Sequence, residues 1–213
     1  MASFKGLAWN CAGLRSSTAS CNKVLYFEKD HKNDFDVAFF LETHHRTEDE
    51  IPSELKRYQL THHIIHSPAT ENEKYSGIIG VIKRDYDILD SKELIQGRVL
   101  NVKIQHRAYN TKYNISALYL ETNNHITKAK MENVVAKLKH ENEDHQNNII
   151  IGDLNFIDHE KDKVNGLNST DKAACKIWTL FLMKRTWSTL LGSKIRIEKF
   201  GPLLERGRRA IVE

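Results

Sequence analysis

The stretch Ile149–Asn155, with the sequence IIIGDLN, constrains the fold more than any other part of the chain. Its three β-branched residues predict a buried central strand, and Gly152 marks the strand's end. Asp153 and Asn155 follow with one residue between them, so both side chains point to the same side of an extended chain. A carboxylate there can orient or deprotonate a water molecule, and an amide can hold a phosphoryl oxygen. Because Asp and Asn are also common in turns, a simple turn remains the alternative.

Amphipathic segments and short apolar runs alternate on both sides of this strand. Apolar residues recur at helical spacing between Met131 and Leu138 and between Ala174 and Leu182, and a third helix is predicted over Ser16–Lys32. Further strands are predicted at Phe4–Trp9, Phe35–Leu41, Thr61–His66, Gly77–Ile82, Val99–Gln105 and Asn114–Leu120. Such an alternation is typical of a layered α/β domain.

The composition excludes several classes of protein. The chain has 213 residues, of which 40% are hydrophobic and 28% charged, and its mean hydropathy is −0.54. Its longest apolar run, Ile177–Met183, is too short to span a bilayer, and no signal peptide is recognisable, so we expect an intracellular protein without a membrane partner. Three widely spaced cysteines predict neither a disulfide framework nor a zinc site. The net charge of +4 permits a nucleic-acid partner but indicates it only weakly.

Two further predicted strands also end in polar side chains. Asn10 follows the first strand, and Glu42 follows the most apolar run of the chain. If these strand ends meet those of Asp153 and Asn155, they form one oxygen-rich site, which suits Mg²⁺ or another hard divalent cation better than zinc. The pair His62 and His66 lies too far apart along a strand to hold one ion easily.

The ordered set of motifs resembles the endonuclease/exonuclease/phosphatase superfamily. Trp9–Leu14 (WNCAGL) is similar to its first motif, Leu41–His44 (LETH) to its metal-binding glutamate motif, and Gly152–Asn155 (GDLN) to its Gly-Asp-(Phe/Leu)-Asn motif. Tyr119 lies on the strand where the family keeps an active-site tyrosine. Order and spacing agree from residue 4 to about residue 183, and the likeness is closest to the endonuclease domains of LINE-type (non-LTR) retrotransposons.

The resemblance implies a fold, a reaction and roles for individual residues. The fold would be a four-layer α/β sandwich of two packed mixed sheets flanked by helices, and the reaction Mg²⁺- or Mn²⁺-dependent hydrolysis of a phosphodiester that nicks double-stranded DNA. Glu42 would bind the metal and Asp153 would activate water. Asn10 and Asn155 would hold the phosphate and the water, and Tyr119 would stabilise charge on the phosphate. A nuclear location and fusion to a reverse transcriptase are implied as well.

The C-terminal part departs from the family pattern. Ser193–Glu198 resembles the first of two late family strands, but no counterpart of the second, which carries an Asp-His pair, is recognisable. We therefore expect one domain over residues 1–200 with incomplete last strands, a basic tail over 201–213 and impaired activity. His44 and Arg196 are candidate substrate contacts. The alternatives are an inactive nucleic-acid-binding module of the same fold and a phosphatase of the same superfamily.

Overall fold

A computed structural model of the protein describes residues 4–15, 23–29, 34–47, 49–73, 75–120, 128–141, 147–155, 169–183, 195–199 and 208–212. The chain divides into two compact units. The first contains residues 1–119, 145–153 and 193–213, and the second contains residues 120–144 and 154–192.

The first unit contains two mixed β-sheets. The larger has the strand order β3-β4-β2-β1-β10-β9, in which β1 and β2 run parallel and the other neighbours antiparallel. Its strands are β1 (Gly6–Asn10), β2 (Val37–Leu41), β3 (His62–Ser67), β4 (Ile78–Lys83), β9 (Ile195–Lys199) and β10 (Arg208–Val212). The smaller has the order β5-β6-β7-β8, with β7 and β8 parallel. Its strands are β5 (Tyr86–Ile95), β6 (Val99–His106), β7 (Lys112–Tyr119) and β8 (Asn148–Asp153).

Alternating side chains of both sheets form one core, because successive residues of a strand point to opposite faces. Phe39 and Leu41 of the larger sheet share this core with Leu100, Ala117 and Ile151 of the smaller sheet. The other face of the larger sheet is covered by helix α1 (residues 23–29), by the short helix α2 (Ser53–Lys56) and by the 3₁₀ turn Arg57–Leu60. The predicted α/β class with two packed mixed sheets and helices is confirmed.

Two longer helices make up the described part of the second unit. They are α3 (Lys128–Glu141) and α4 (Ser169–Met183), which pack against each other. Both lie where the apolar spacing predicts them. Among the helices that the structure describes, none combines the length and the apolar character needed to cross a membrane.

One predicted helix is described only in part, and one strand was not predicted. The predicted helix over Ser16–Lys32 is described only as α1, and the rest of that range lies outside the described residues. Strand β5 was not predicted, because it lies at the edge of its sheet and half of its side chains, mostly polar ones, are exposed.

The C-terminal segment requires a correction. In place of a basic tail after residue 200, the structure has strand β10, which pairs with β1 so that Ile211 lies opposite Leu7. The apolar part of β10 is only Ala210–Val212 and follows Arg208 and Arg209, so its local pattern resembles a charged tail. Its partner β1 is distant in sequence and its partner β9 ends at residue 199, so no local pattern reveals the pairing.

Gly152 in β8 lies at a position where any other residue would cause backbone strain. Its φ is +152°, and a Cβ added there would overlap the carbonyl oxygen of Leu118 in the neighbouring strand β7. The glycine therefore allows β7 and β8 to approach closely at the point where both end.

We expect Gly152→Ala to lower the free energy of unfolding by at least about 3 kcal/mol, because backbone atoms rather than a flexible side chain oppose the new methyl group. Urea denaturation followed by circular dichroism measures this. Gly6→Ala is the matched control, since its Cβ would meet the movable Phe4 ring at 3.3 Å, and it should cost less. Equal losses for the two variants would contradict the argument.

His66 on the edge strand β3 is held in its neutral form by its surroundings. Its Nε2 atom is buried and has no hydrogen-bond partner among the described residues, and its ring lies 6.3 Å from that of His45. Burial, with a smaller contribution from His45, lowers the pKa of His66 from 6.5 to about 4, although Asp49 opposes the shift. The unfolded chain therefore binds this proton at a higher pH than the folded chain does.

Stability should accordingly be independent of His66 above about pH 6.5 and should fall as the pH drops from 6.5 towards 4, with a slope of at most about one proton. His66→Gln should reduce that slope in urea titrations performed at several pH values. Ile65→Val, a change on the same strand that alters no titratable group, should leave the slope as it is. An unchanged slope in His66→Gln would refute the assignment.

Candidate active site

Four polar side chains lie at the carboxyl ends of strands in the first unit. Asn10 ends β1, and Glu42 follows β2, which runs parallel to β1. Tyr119 ends β7 and pairs in register with Asp153 at the end of the parallel strand β8. Parallel neighbours end at the same edge of a sheet, and because the two sheets pack face to face their polar ends meet.

Asn10 joins the two sheets through its side-chain amide. Its Nδ2 donates to Oδ2 of Asp153 at 3.2 Å, and its Oδ1 accepts from the backbone N–H of Ala12 at 3.0 Å. Both side chains are buried, with about 7% of each residue exposed. The amide is thereby fixed with its NH₂ end towards the carboxylate.

Glu42 remains ionised although it is largely buried. Burial alone would raise its pKa, but hydrogen bonds donated by His44, Tyr119 and Asn10 outweigh burial, so the pKa lies below its ordinary value. The distance from His44 Nε2 to Glu42 Oε1 is 3.3 Å. Glu42 and Asp153 thus both accept hydrogen bonds from the side-chain amide of Asn10.

Tyr119 presents a protonated hydroxyl to this cluster. Burial is the largest cause that raises the pKa of Tyr119, followed by its hydrogen bond to Glu42, while the charge of Arg98 opposes the shift. The guanidinium of Arg98 lies 5.0 Å from the centre of the Tyr119 ring and pairs with Glu73 at 3.0 Å. The hydroxyl can therefore donate a hydrogen bond at neutral pH.

The loops that follow β1, β2 and β8 contain residues in strained backbone conformations. Ala12, Glu42, His44 and Asn155 have positive φ angles, which residues other than glycine rarely adopt. Such positions persist where the surroundings fix them and are concentrated at functional sites.

Backbone hydrogen bonds fix the loop after β1 against the loop after β2. Cys11 N donates to Leu41 O at 3.0 Å and Gly13 N to Glu42 O at 2.7 Å. Gly13 has a φ of +91°, and a Cβ there would lie 2.7 Å from Nδ1 of His44, so only glycine leaves room for that ring.

Burial raises the pKa of the Cys11 thiol to about 12, which leaves the thiol without nucleophilic character at neutral pH.

Five of the seven site residues predicted from the sequence come together in the first unit: Asn10, Glu42, His44, Tyr119 and Asp153. Asn155 belongs to the second unit, where its Nδ2 donates to the carbonyl oxygen of Leu120 at 2.7 Å. Arg196 lies on the edge strand β9 opposite Ile211, and β10 separates it from β1; its side chain is outside what the structure describes.

Two residues at the site were missed by the sequence analysis. Arg98 reaches Tyr119 because β6 pairs with β7, which places residue 98 beside residue 119. The position of Arg98 immediately before a strand was the available signal in the sequence. Lys23 donates from Nζ to the carbonyl oxygens of Ala12 and Gly13 at 2.8 and 2.9 Å. No sequence pattern connects a helical lysine to that loop.

The donor atoms of the cluster suit a hard divalent cation. Glu42 and Asp153 supply carboxylate oxygens beside neutral amide and hydroxyl groups, and Mg²⁺ in proteins is commonly held by one or two carboxylates together with substrate oxygens and water. Within the described ranges, no group of three or more His, Cys, Asp or Glu side chains could enclose an ion. A cation here would therefore be held by few protein ligands.

The architecture is similar to solved structures of nucleic-acid enzymes. The AP endonuclease LMAP from Leishmania major aligns with 85% of this chain and 66% of its own, at 15% identity and a TM-score of 0.61. The catalytic domain of APE2 from Xenopus laevis aligns with 84% of this chain and 67% of its own, at 15% identity and a TM-score of 0.60. This chain has the endonuclease/exonuclease/phosphatase fold.

A third structure with this fold matches over more of the chain. D. rerio TDP2 complexed with a single-strand DNA product aligns with 98% of this chain and 83% of its own, at 16% identity and a TM-score of 0.51. The chain spans about two thirds of the length of the Leishmania and Xenopus proteins. Neither a protein-family model nor a curated protein matches the sequence.

Tyr119→Phe tests the hydrogen bond that supports the charge of Glu42. Removing the hydroxyl removes one of the groups that oppose burial, so we expect the pKa of Glu42 to rise. NMR titration of ¹³C-labelled glutamate side chains measures this shift. Tyr109→Phe, at an exposed tyrosine, is the control and should leave Glu42 unaffected. An unchanged Glu42 pKa in Tyr119→Phe would disprove the contact.

Proposed function

We propose that this chain is a divalent-metal-dependent phosphodiesterase that nicks double-stranded DNA, as the endonuclease domain of a LINE-type retrotransposon. The observation that carries the proposal is the meeting of Asn10, Glu42, Tyr119 and Asp153 from four strand ends of two sheets. Two carboxylates, an oriented amide donor and a protonated phenol can together hold a divalent cation and stabilise the charge that develops during phosphodiester hydrolysis.

Glu42 is the residue that we expect to hold Mg²⁺ or Mn²⁺, because its carboxylate is ionised and faces the other groups of the site. When bound, the cation supplies Lewis-acid stabilisation of charge on the phosphoryl oxygens. Asp153 accepts a proton from the attacking water, whose oxygen forms a new bond to phosphorus as one P–O ester bond breaks, and the departing sugar oxygen takes up a proton from solvent water to leave as an alcohol.

The neutral donors act on the phosphate itself. The Asn10 amide and the Tyr119 hydroxyl, which donate to the site carboxylates in this structure, would each exchange a carboxylate for the substrate: Asn10 would donate to a phosphoryl oxygen, and Tyr119 to charge that develops in the transition state. Asn155, which follows Asp153 by two residues, would hold the water or the phosphate. His44 and Arg196 would contact the DNA backbone.

DNA as the substrate is supported by the motif set and by the fold. LETH and GDLN occur in the order and spacing of the retrotransposon endonucleases, and structures of an AP endonuclease and of TDP2 with a DNA product share the fold. The same motif set supports fusion to a reverse transcriptase and a nuclear location in the parent element.

Nicking of supercoiled plasmid in Mg²⁺ tests the proposal. Glu42→Ala and Asp153→Asn should each lower the nicking rate at least about 100-fold, since each removes a group that acts at the transition state, and EDTA should abolish nicking. Asp87→Asn is the matched control, because it changes an exposed carboxylate paired with Arg107. A folded chain that binds plasmid but does not nick it would contradict the proposed activity.

A further inference from the structure

Lys23 fixes the loop that follows β1 through two of the loop's carbonyl groups. Ala12 and Gly13 have consecutive positive φ angles of +46° and +91°, and their carbonyl oxygens both accept from the Lys23 ammonium, at 2.8 and 2.9 Å. Hydrogen bonds from a charged donor are about twice as strong as those between neutral groups. The lysine thus offsets part of the conformational cost of a left-handed alanine.

The position of Lys23 is itself fixed by the core. It begins the described part of α1, and the next residues on the inner face of that helix, Val24 and Phe27, are buried. The Phe27 ring stacks on Trp9 of β1 with 5.6 Å between the ring centres. The ammonium is therefore held at a defined distance from the strand that carries Asn10.

Three hydrogen bonds, linked covalently through the backbone of Ala12 and the side chain of Asn10, lead from Lys23 to Asp153. Lys23 holds the Ala12 carbonyl, the Ala12 N–H donates to Oδ1 of Asn10, and Nδ2 of Asn10 donates to Asp153. A backbone N–H can only donate, so it selects the oxygen end of the Asn10 amide and turns the NH₂ end towards the site. With the amide reversed, its oxygen would face the Asp153 carboxylate and the phosphate, and both contacts would be repulsive.

We propose that Lys23 is a positioning residue that sets the donor orientation of Asn10 by holding the Ala12–Gly13 turn. The inference rests on the proposed function where it concerns catalysis, because the oriented amide is then the donor to the phosphate. The proposal requires no direct contact between Lys23 and the substrate, and it attributes the effect of Lys23 to Asn10 alone. Coupling between the two residues is therefore the property to measure.

A double-mutant cycle on plasmid nicking measures that coupling. We expect Lys23→Met to lower kcat about 10-fold with KM nearly unchanged, and Lys23→Arg, which keeps a cation, to recover most of the rate. In an Asn10→Ala background, Lys23→Met should have no further effect. Lys29→Met, an exposed lysine of the same helix, is the control and should keep the wild-type rate. Multiplicative losses in the double variant would overturn the proposal.

A second measurement needs no activity and separates failure of this inference from failure of the proposed function. In ¹⁵N NMR spectra, Lys23→Met should shift the Asn10 side-chain NH₂ resonances and speed hydrogen exchange of the Ala12 amide about 10-fold, whereas Lys29→Met should change neither. Unchanged Asn10 and Ala12 signals in a folded Lys23→Met protein would overturn the inference. A wild-type protein that does not nick would refute the nuclease proposal, and these signals would still test Lys23.

Discussion

The hydrogen bond from Asn10 to Asp153 joins the ends of strands in different sheets, across 143 residues of sequence. Glu42 and Tyr119 reach the same cluster because Glu42 directly follows β2, the parallel neighbour of β1, and Tyr119 ends β7, the parallel neighbour of β8. The packing of the two sheets therefore also determines how the side chains of the site lie relative to one another. A shift of one sheet along the other would separate the amide from the carboxylate and leave two buried polar groups without their partner.

Close approach of backbones at this end of the sandwich depends on glycines. Gly152 lets β8 lie against Leu118, and Gly13 leaves room for the His44 ring beside Glu42. Three residues that have a Cβ, Ala12, Glu42 and His44, also adopt positive φ angles in these loops. The strain is concentrated where polar side chains must face one another, while the strands behind them are regular and apolar.

The sequence was sufficient to predict the features that depend on local pattern. Isoleucines before Gly152 predict β8, and polar residues directly after apolar runs identify Asn10, Glu42 and Asp153. Lys23 could not be predicted and Arg98 was missed although it directly precedes a strand, because each acts on a residue that only tertiary pairing brings near. Strand β10 was missed for the same reason: Ala210–Val212 is too short an apolar run to indicate a strand without its partner β1.

The pairing of β10 with β1 has a consequence for the order in which the site can be assembled during synthesis. Strand β1 leaves the ribosome before residues 208–212, which pair with one of its two hydrogen-bonding edges. Until those residues emerge, β1 presents an unpaired edge next to its apolar side chains, which is the kind of surface that recruits other chains. The strand that carries Asn10 is therefore made early and completed late, so a nascent chain has the residues of the site before it has the sheet that holds them.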